Sequence, residues 1–229
     1  MSVIADNLQA VRKRISDAEI ASGRPAGSVR LLAVSKTKPL SDVLLAHAAG
    51  QRLFGENYVQ EGVEKCEASH ALGLEWHFIG PLQSNKTRSV ATHFSWVHSV
   101  DRIKITQRLS AQRPDNLGPL NICVQVNISG EASKSGCHPD SLASLCHAIT
   151  ALPNLRLRGL MAIPEATDDT HKQRQAFRDL RILLNDLQAS GLALDTLSMG
   201  MTHDLEAAIA EGATLVRIGT AIFGERNYA

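Results

Sequence analysis

Eight short apolar runs, each followed by turn residues and a helical pattern, constrain the fold of this chain more than any other feature. Each run is rich in Val, Ile and Leu and is typical of a buried strand. The run ends are 20 to 38 residues apart, which is enough for a right-handed strand, helix, strand crossover. The predicted strands end at Lys36, Asn57, Gly80, Val100, Ile128, Ile163, Met201 and Phe223.

This alternation predicts the fold class. Eight strand and helix pairs without a long linker favour a single-domain (βα)8 TIM barrel over residues 1–229, in preference to an open doubly wound sheet. Only six residues follow Phe223, so the outer face of the last strand lacks a helix after it. We therefore expect an extra N-terminal helix, roughly Val3 to Ala21, to cover that face.

Charge and hydropathy restrict the compartment and the partners. The chain has 24 basic and 23 acidic side chains, which gives a net charge of +1. This charge is not typical of a nucleic-acid-binding protein. No apolar run approaches the ~18 residues of a membrane span, and Asp6, Arg12 and Arg14 interrupt the region where a signal peptide would be apolar. We expect a cytoplasmic protein, without a membrane or nucleic-acid partner, that is a monomer.

The cysteines and histidines do not predict a metal site. The four cysteines form no CxxC pair, which indicates free thiols. His138 and His147 each follow a cysteine directly, but zinc sites draw on tighter ligand spacings. The other histidines show no HExxH spacing, and we interpret each as a surface residue or a hydrogen-bonded core residue. The cysteines are Cys66, Cys123, Cys137 and Cys146.

Lys36 is the candidate nucleophile. In a barrel of this class, ligands bind where the carboxyl ends of the strands meet. Period-two alternation places Leu32, Val34 and Lys36 on one face of the first strand. If that face is the interior, desolvation lowers the pKa of the amine, which can then form a Schiff base with an aldehyde or ketone. The alternative is a lysine that reaches solvent just past the strand.

The last two strands offer an anion site. Barrels of this class commonly hold a phosphate between the loops after strands seven and eight, where unpaired N–H groups favour an anion. Strand seven ends in SMGMT and strand eight contains RIGT. Ser198, Gly219 and Thr220 are the predicted phosphate contacts. The alternative is that the glycines only permit tight turns.

Arg217 completes the pattern. It stands two residues before Gly219, on the same strand face, so its guanidinium points into the barrel and needs a partner. That partner is either a carboxylate or a ring nitrogen of a cofactor. A lysine that traps aldehydes, a phosphate site and an interior arginine together describe pyridoxal 5'-phosphate. Asn57 is placed to reach the same ligand, although a turn or cap role is equally natural.

Two polar loops follow predicted strands. Gln83, Ser84, Asn85 and Lys86 come after strand three, and Lys134 comes after strand five. We interpret both as solvated loops, with a place at the barrel mouth as the alternative.

Taken together, these motifs resemble the family of pyridoxal phosphate homeostasis proteins, of the YggS or PROSC type, across essentially the whole chain. The resemblance implies an alanine-racemase-like barrel in which Lys36 matches the lysine that holds the cofactor. It also implies that Arg217 faces the pyridine nitrogen and that Ser198, Gly219 and Thr220 hold the phosphate. The motifs are LLAVSKTKP, FGENYVQE, WHFIGPLQSNK, SKSG, GLMAIP, LSMGMTHDLEAAI and VRIGTAIFGER.

The resemblance further implies a role in pyridoxal phosphate and vitamin B6 homeostasis, with pyridoxal-phosphate-dependent apoenzymes as recipients and no established turnover. Thr202 and His203 depart from the family pattern, where Ser followed by Ala or an acid is expected. Either hydroxyl can cap the following helix, so only the fine geometry at the phosphate is affected.

Two alternatives use the same lysine: a weak racemase or lyase that depends on pyridoxal phosphate, and a Schiff-base aldolase without a cofactor. A racemase needs two acid/base groups on opposite faces of its substrate. Similar racemases take the second from a tyrosine associated with a further domain, whereas the tyrosines here are Tyr58 and Tyr228. A permanently charged Arg217 also discourages protonation of the ring nitrogen, which favours binding over turnover.

Overall fold

The computed structural model describes residues 2–131 and 135–225, in which eight parallel strands close into a barrel in chain order. Pairing of the first strand with the last closes the barrel, with Leu32 opposite Arg217. The predicted (βα)8 barrel is therefore confirmed. The strands are β1 (Arg30–Val34), β2 (Leu53–Glu56), β3 (Glu75–Phe78), β4 (Trp96–Val100), β5 (Leu120–Gln125), β6 (Leu155–Met161), β7 (Thr196–Ser198) and β8 (Leu215–Ile218).

The strand ends require one substantial correction. The eighth strand was predicted to run to Phe223, but β8 ends at Ile218 and Thr220–Phe223 forms a one-turn helix. The physical reason is that the ladder with β1 ends at Ile218. The backbone N–H groups of Ile222 and Phe223 then bond to the carbonyl of Gly219. The other predicted ends fall zero to three residues beyond the last ladder residue, because the apolar runs continue into the mouth loops.

Helices cover the outside of the barrel. In the longest, the cap Asp169 accepts a hydrogen bond from the N–H of His171 (2.9 Å). Gly191 has a φ of +95° just beyond the same helix, which ends there as predicted. Within the described ranges, no helix combines the length and apolarity needed to span a bilayer. The helices are α1 (Val3–Ala21), α2 (Leu40–Ala48), α3 (Val59–Ala68), α4 (Thr87–His93), α5 (Ile103–Gln112), α6 (Pro139–Thr150), α7 (Thr170–Ala189), α8 (Leu205–Ala210) and α9 (Thr220–Phe223).

The N-terminal helix α1 takes the place of the helix missing after β8. It packs against α8 and α9 on one side and α2 on the other. Its buried face includes Leu8, Val11 and Ile15, and Asn7 donates a hydrogen bond to the carbonyl of Ile222 (2.9 Å). The predicted role of this helix is confirmed.

The barrel interior differs from the apolar layer between strands and helices. Most buried apolar residues belong to that outer layer. A small cluster with Leu32, Val34 and Ile79 and another with Trp96 and Cys123 form separately from it. Strand alternation places these two clusters inside the barrel together with buried polar side chains. The interior is thus partly polar, which matters for the site below.

Glu75 closes the end of the barrel opposite the mouth. Its carboxylate pairs with Arg30 (2.6 Å) and accepts a hydrogen bond from His77 (2.8 Å). Burial alone would raise the pKa of this carboxyl, but the hydrogen bond from His77 and the charge of Arg30 outweigh burial and hold the pKa below its ordinary value. The ionised form is therefore preferred in the folded state.

This preference predicts acid sensitivity. A carboxyl whose pKa is depressed by folding stabilises the protein above its ordinary pKa of 4.5 and loses that contribution as the pH falls further. Glu75→Gln is expected to lower the free energy of unfolding at neutral pH by about 1 kcal/mol, because the pair is part-exposed and screened. Urea unfolding at pH 7 and pH 3.5 measures this effect. An equal loss at both values would contradict it.

Candidate functional site

A cavity of about 240 Å³ opens at the carboxyl ends of the strands. It contains all but one of the residues predicted for the site from the sequence; the exception is Ser198. Four larger clefts, of about 350 to 510 Å³, lie elsewhere on the described residues and contain none of the predicted ones. The lining residues are Val34, Lys36, Asn57, Ile79, Ile163, Met201, Thr202, His203, Arg217, Gly219 and Thr220.

Lys36 lies in the turn that follows β1. The strand ends at Val34, two residues earlier than predicted, although the N–H of Ser35 still bonds to the carbonyl of Gly55 (3.0 Å). Lys36 is half-buried and lines the cavity together with Val34. Both residues therefore border the same cavity, while Leu32, predicted on the same face, packs with Val34 in the barrel interior.

The backbone beside Lys36 adopts an uncommon conformation. Thr37 has a φ of +62°, in the left-handed region that a β-branched residue rarely enters. Its N–H donates to Oε1 of Glu61 (2.6 Å). On the other side of Lys36, the carbonyl of Ser35 accepts from Nζ of Lys65 (2.8 Å). The residues before and after Lys36 are thus held by side chains that come from α3.

Those side chains form a buried ion cluster of Glu56, Glu61 and Lys65. Nζ of Lys65 lies 2.8 Å from Oε1 of Glu56 and 2.7 Å from Oε1 of Glu61. The hydroxyl of Ser35 also donates to Glu56 (2.6 Å). Burial raises the pKa of Glu56, against the opposing charge of Lys65. Sequence reasoning missed this cluster; the spacing of Glu61 and Lys65 by four residues was its only local signal.

Arg217 is buried inside β8 and bonds to neutral groups. Its Nη1 donates to the backbone oxygen (2.6 Å) and hydroxyl (2.9 Å) of Ser198, and its Nη2 to the carbonyl of Ala162 (2.9 Å). Desolvation lowers the pKa of this guanidinium to about 10, so it stays charged at neutral pH. Among the described residues no carboxylate lies within ion-pair distance of it, although the charge of Asp204 acts on it from farther away. A direct carboxylate pair, the alternative partner for this guanidinium, is therefore not seen in the described part of the chain.

Ser198 lies beneath the cavity and does not line it. Its hydroxyl sits between Arg217 and Nδ1 of His98 (2.8 Å), and the residue is fully buried. Thr202, in the loop after β7, lines the cavity instead. That loop turns at Gly200, whose φ of +95° and tight packing exclude a Cβ. The role of Ser198 at a phosphate stays a prediction without support from its placement.

Asn57 follows β2 and lines the cavity beside Lys36. Its Oδ1 is buried and has no hydrogen-bond partner in the described part of the chain. Gly80 allows this placement, because a Cβ there would collide with the backbone of Asn57. A buried, unsatisfied amide oxygen at a cavity wall is typical of a ligand-binding group.

The polar loop after β3 does not line the cavity. Ser84–Lys86 forms a short 3₁₀ turn, and Gln83, Asn85 and Lys86 are exposed to solvent. Their interpretation as a solvated loop is confirmed. Lys134, the candidate from the second loop, lies outside the described residues.

The cysteines are buried free thiols. Burial raises the pKa of Cys137 to about 11 and that of Cys146 to about 12, which makes both poor ligands and nucleophiles at neutral pH. Over residues 2–131 and 135–225, no group of three His, Cys, Asp or Glu side chains is arranged to hold a metal ion.

Comparison with known proteins first defines the class. Residues 4–227 match the family described as alanine racemase, N-terminal domain. This match agrees with the closed barrel of eight parallel strands and with the position of the cavity at its mouth.

Closer relatives define the particular family. The chain is 63% identical to the pyridoxal phosphate homeostasis protein of Pseudomonas aeruginosa, over 100% of this chain and 98% of that protein. It is 57% identical to that of Vibrio cholerae, over 100% and 99%. It also resembles PipY of Synechococcus elongatus, solved with PLP bound, at 37% identity and a TM-score of 0.84 over 96% and 100% of the two chains. The chain belongs to the family of pyridoxal phosphate homeostasis proteins.

Proposed function

We propose that this protein binds pyridoxal 5'-phosphate as a Schiff base on Lys36 and acts in its intracellular homeostasis and supply, with little or no turnover. One observation carries the proposal: Lys36, Asn57, Arg217, Gly219 and Thr220 line a single cavity at the barrel mouth. The names of the relatives and the PLP-bound structure of PipY support the same cofactor.

The residues present fit this cofactor. Pyridoxal phosphate supplies an aldehyde and an electron-withdrawing ring when bound. Lys36 provides the amine, and the unsatisfied oxygen of Asn57 suits the ring hydroxyl. Thr220 and the backbone after Gly219 supply donors for the phosphate, and Thr202 is a further residue of the same lining.

Arg217 explains why binding would occur with little turnover. Its guanidinium is held in place by two backbone carbonyls and one hydroxyl. It therefore presents a fixed cation to the cavity and has no lone pair with which to accept a proton. Next to a ring nitrogen such a group donates a hydrogen bond and disfavours ring protonation, which weakens the ring as an electron sink.

We propose pyridoxal-phosphate-dependent apoenzymes as recipients of the cofactor, and we propose that the protein works as a cytoplasmic monomer.

Absorbance and turnover test this function together. Adding pyridoxal phosphate to the cofactor-free protein should produce a new absorbance band that borohydride removes. The loaded protein should exchange the α-hydrogen of amino acids with deuterium no faster than free pyridoxal phosphate does.

Transfer of the cofactor is tested by mixing the loaded protein with an apoenzyme in the presence of a scavenger of free cofactor. Activation no faster than from free cofactor would argue against supply.

A weak racemase or lyase is the second candidate, and His203 is the observation that favours it. This imidazole lines the cavity and offers a second acid/base group besides Lys36. In the described part of the chain no tyrosine lines the cavity. The racemase requires deuterium exchange well above background that is lost in both Lys36→Ala and His203→Gln. Exchange at background in the native protein excludes it.

Replacing Arg217 tests its place at the ring. Arg217→Ala should leave the borohydride-sensitive band in place but shift its maximum, and should weaken binding about tenfold through the loss of a charged hydrogen bond. Absorbance titration measures both quantities. The substitution also leaves the buried carbonyls of Ser198 and Ala162 without their donor. Thermal unfolding of the variant therefore serves as the control for lost stability. An unchanged spectrum in folded protein would remove Arg217 from the ring.

A further inference from the structure

A continuous hydrogen-bonded chain crosses the barrel interior from its lower end to the cavity. Oε1 of Glu75 lies 2.8 Å from Nε2 of His77, and Nδ1 of His77 lies 2.8 Å from Nε2 of His98. Nδ1 of His98 lies 2.8 Å from the hydroxyl of Ser198, which accepts from Arg217 at 2.9 Å. Four strands supply these five groups: β3, β4, β7 and β8.

The ionised end at Glu75 fixes the direction of the hydrogen bonds when both imidazoles are neutral. An ionised Glu75 can only accept, so Nε2–H of His77 donates to it. Nδ1 of neutral His77 must then accept from Nε2–H of His98, and Nδ1 of neutral His98 must accept from the hydroxyl of Ser198. Both histidines therefore carry their proton on Nε2. A proton added to either ring would reverse every bond between that ring and Ser198.

Burial and the neighbouring cations favour this neutral arrangement. His77 and His98 are fully buried, and desolvation lowers the pKa of both imidazoles. The charges of Arg30 from β1 and Arg217 from β8 act in the same direction, whereas the carboxylate of Glu75 from β3 raises the pKa of His77 without outweighing burial. His77 is also stacked on the indole of Trp96 from β4, with ring centroids 5.3 Å apart. Packing and charge thus hold both rings in one place.

We infer that His98 is a positioning residue for Arg217 and that it acts through the hydroxyl of Ser198. With Nδ1 of His98 as its acceptor, that hydroxyl turns its lone pairs toward Nη1 of Arg217. Without the acceptor, the hydroxyl proton is no longer fixed, and the bond from Arg217 to this hydroxyl loses a determinant of its direction. The effect on a bound cofactor rests on the proposed function, whereas the direction of the chain does not.

Nuclear magnetic resonance of the cofactor-free native protein tests the direction. Nitrogen-15 shifts of the imidazoles should show the Nε2–H tautomer for both His77 and His98, unchanged from pH 6 to pH 8. An Nδ1–H tautomer of His98, or a ring that becomes protonated in this range, would overturn the inference. This measurement needs no variant and no cofactor.

A pair of substitutions at His98 tests the positioning. The side-chain oxygen of asparagine reaches the place of Nδ1, so His98→Asn keeps an acceptor for Ser198. The longer glutamine reaches the place of Nε2, so His98→Gln keeps the contact with His77 and loses that acceptor. Both variants lose the ring, so both are expected to lose similar thermal stability.

The readout is the absorbance maximum and the affinity of bound pyridoxal phosphate in unreduced protein. These are measured after borohydride reduction of a separate native sample has shown the label on Lys36. His98→Asn should keep the native maximum and bind within about twofold, whereas His98→Gln should shift the maximum and bind about tenfold more weakly. Equal behaviour of the two variants would overturn the positioning role. Absence of any label on native Lys36 would instead reject the proposed function and leave the tautomer result standing.

Discussion

Lys36→Ala is expected to abolish the borohydride-sensitive absorbance band and to weaken binding of pyridoxal phosphate by roughly a hundredfold, since a bond worth about 3 kcal/mol is lost. The amine lines the cavity beside Asn57 and Arg217, and no other lysine of the described residues lies on that lining. Absorbance titration and equilibrium dialysis measure the two effects.

The matched control for this substitution is Lys86→Ala. Lys86 is exposed in the turn before α4 and lies outside the cavity. Its replacement should leave both the band and the affinity unchanged. If Lys36→Ala retains the band, or if Lys86→Ala loses it, the aldehyde is held elsewhere and the assignment of the site is wrong.

Lys65→Met is expected to lower the free energy of unfolding by about 3 to 5 kcal/mol, because it leaves the buried carboxylate of Glu56 without its counter-ion. Lys65 also holds the carbonyl of Ser35, next to Lys36. Binding of pyridoxal phosphate should therefore weaken as well. Urea unfolding at pH 7 and an absorbance titration of the folded protein measure these effects.

Two further variants isolate the cause. In the double variant Lys65→Met with Glu56→Gln, no buried charge is left unpaired, so more than half of the lost stability should return. Lys13→Met removes an exposed lysine that also pairs with a carboxylate four residues away, Asp17, and should cost less than about 0.5 kcal/mol. A double variant as unstable as Lys65→Met alone would show that lost packing, and not charge, explains the effect.

The sequence predicts the barrel well because its signals are local. Each buried parallel strand is a short apolar run that packing on both faces makes recognisable without its neighbours. The helix Val3–Ala21 could be placed at the gap after β8 because closure of a barrel leaves only one position uncovered. Period-two alternation likewise predicted that Lys36 and Val34 point the same way, and both line the cavity.

The sequence does not predict the features that depend on contacts across the barrel. Ser198 has the sequence context of a phosphate ligand, but its hydroxyl is taken by Arg217 and by His98, which is 100 residues away in the chain. The turn at Thr220–Phe223 continues an apolar run, and only the end of the ladder with β1 makes it helical. These outcomes depend on side-chain partners from other strands, which no local pattern reports.

Peptide mapping after reduction tests the central claim most directly. The native protein is loaded with pyridoxal phosphate, reduced with borohydride, digested and analysed by mass spectrometry. We predict that one peptide, the one containing Lys36, carries the pyridoxyl phosphate mass in stoichiometric amount. A label that is absent from Lys36 and present on Lys86, Lys134 or another lysine would contradict the assignment of the cavity as the cofactor site.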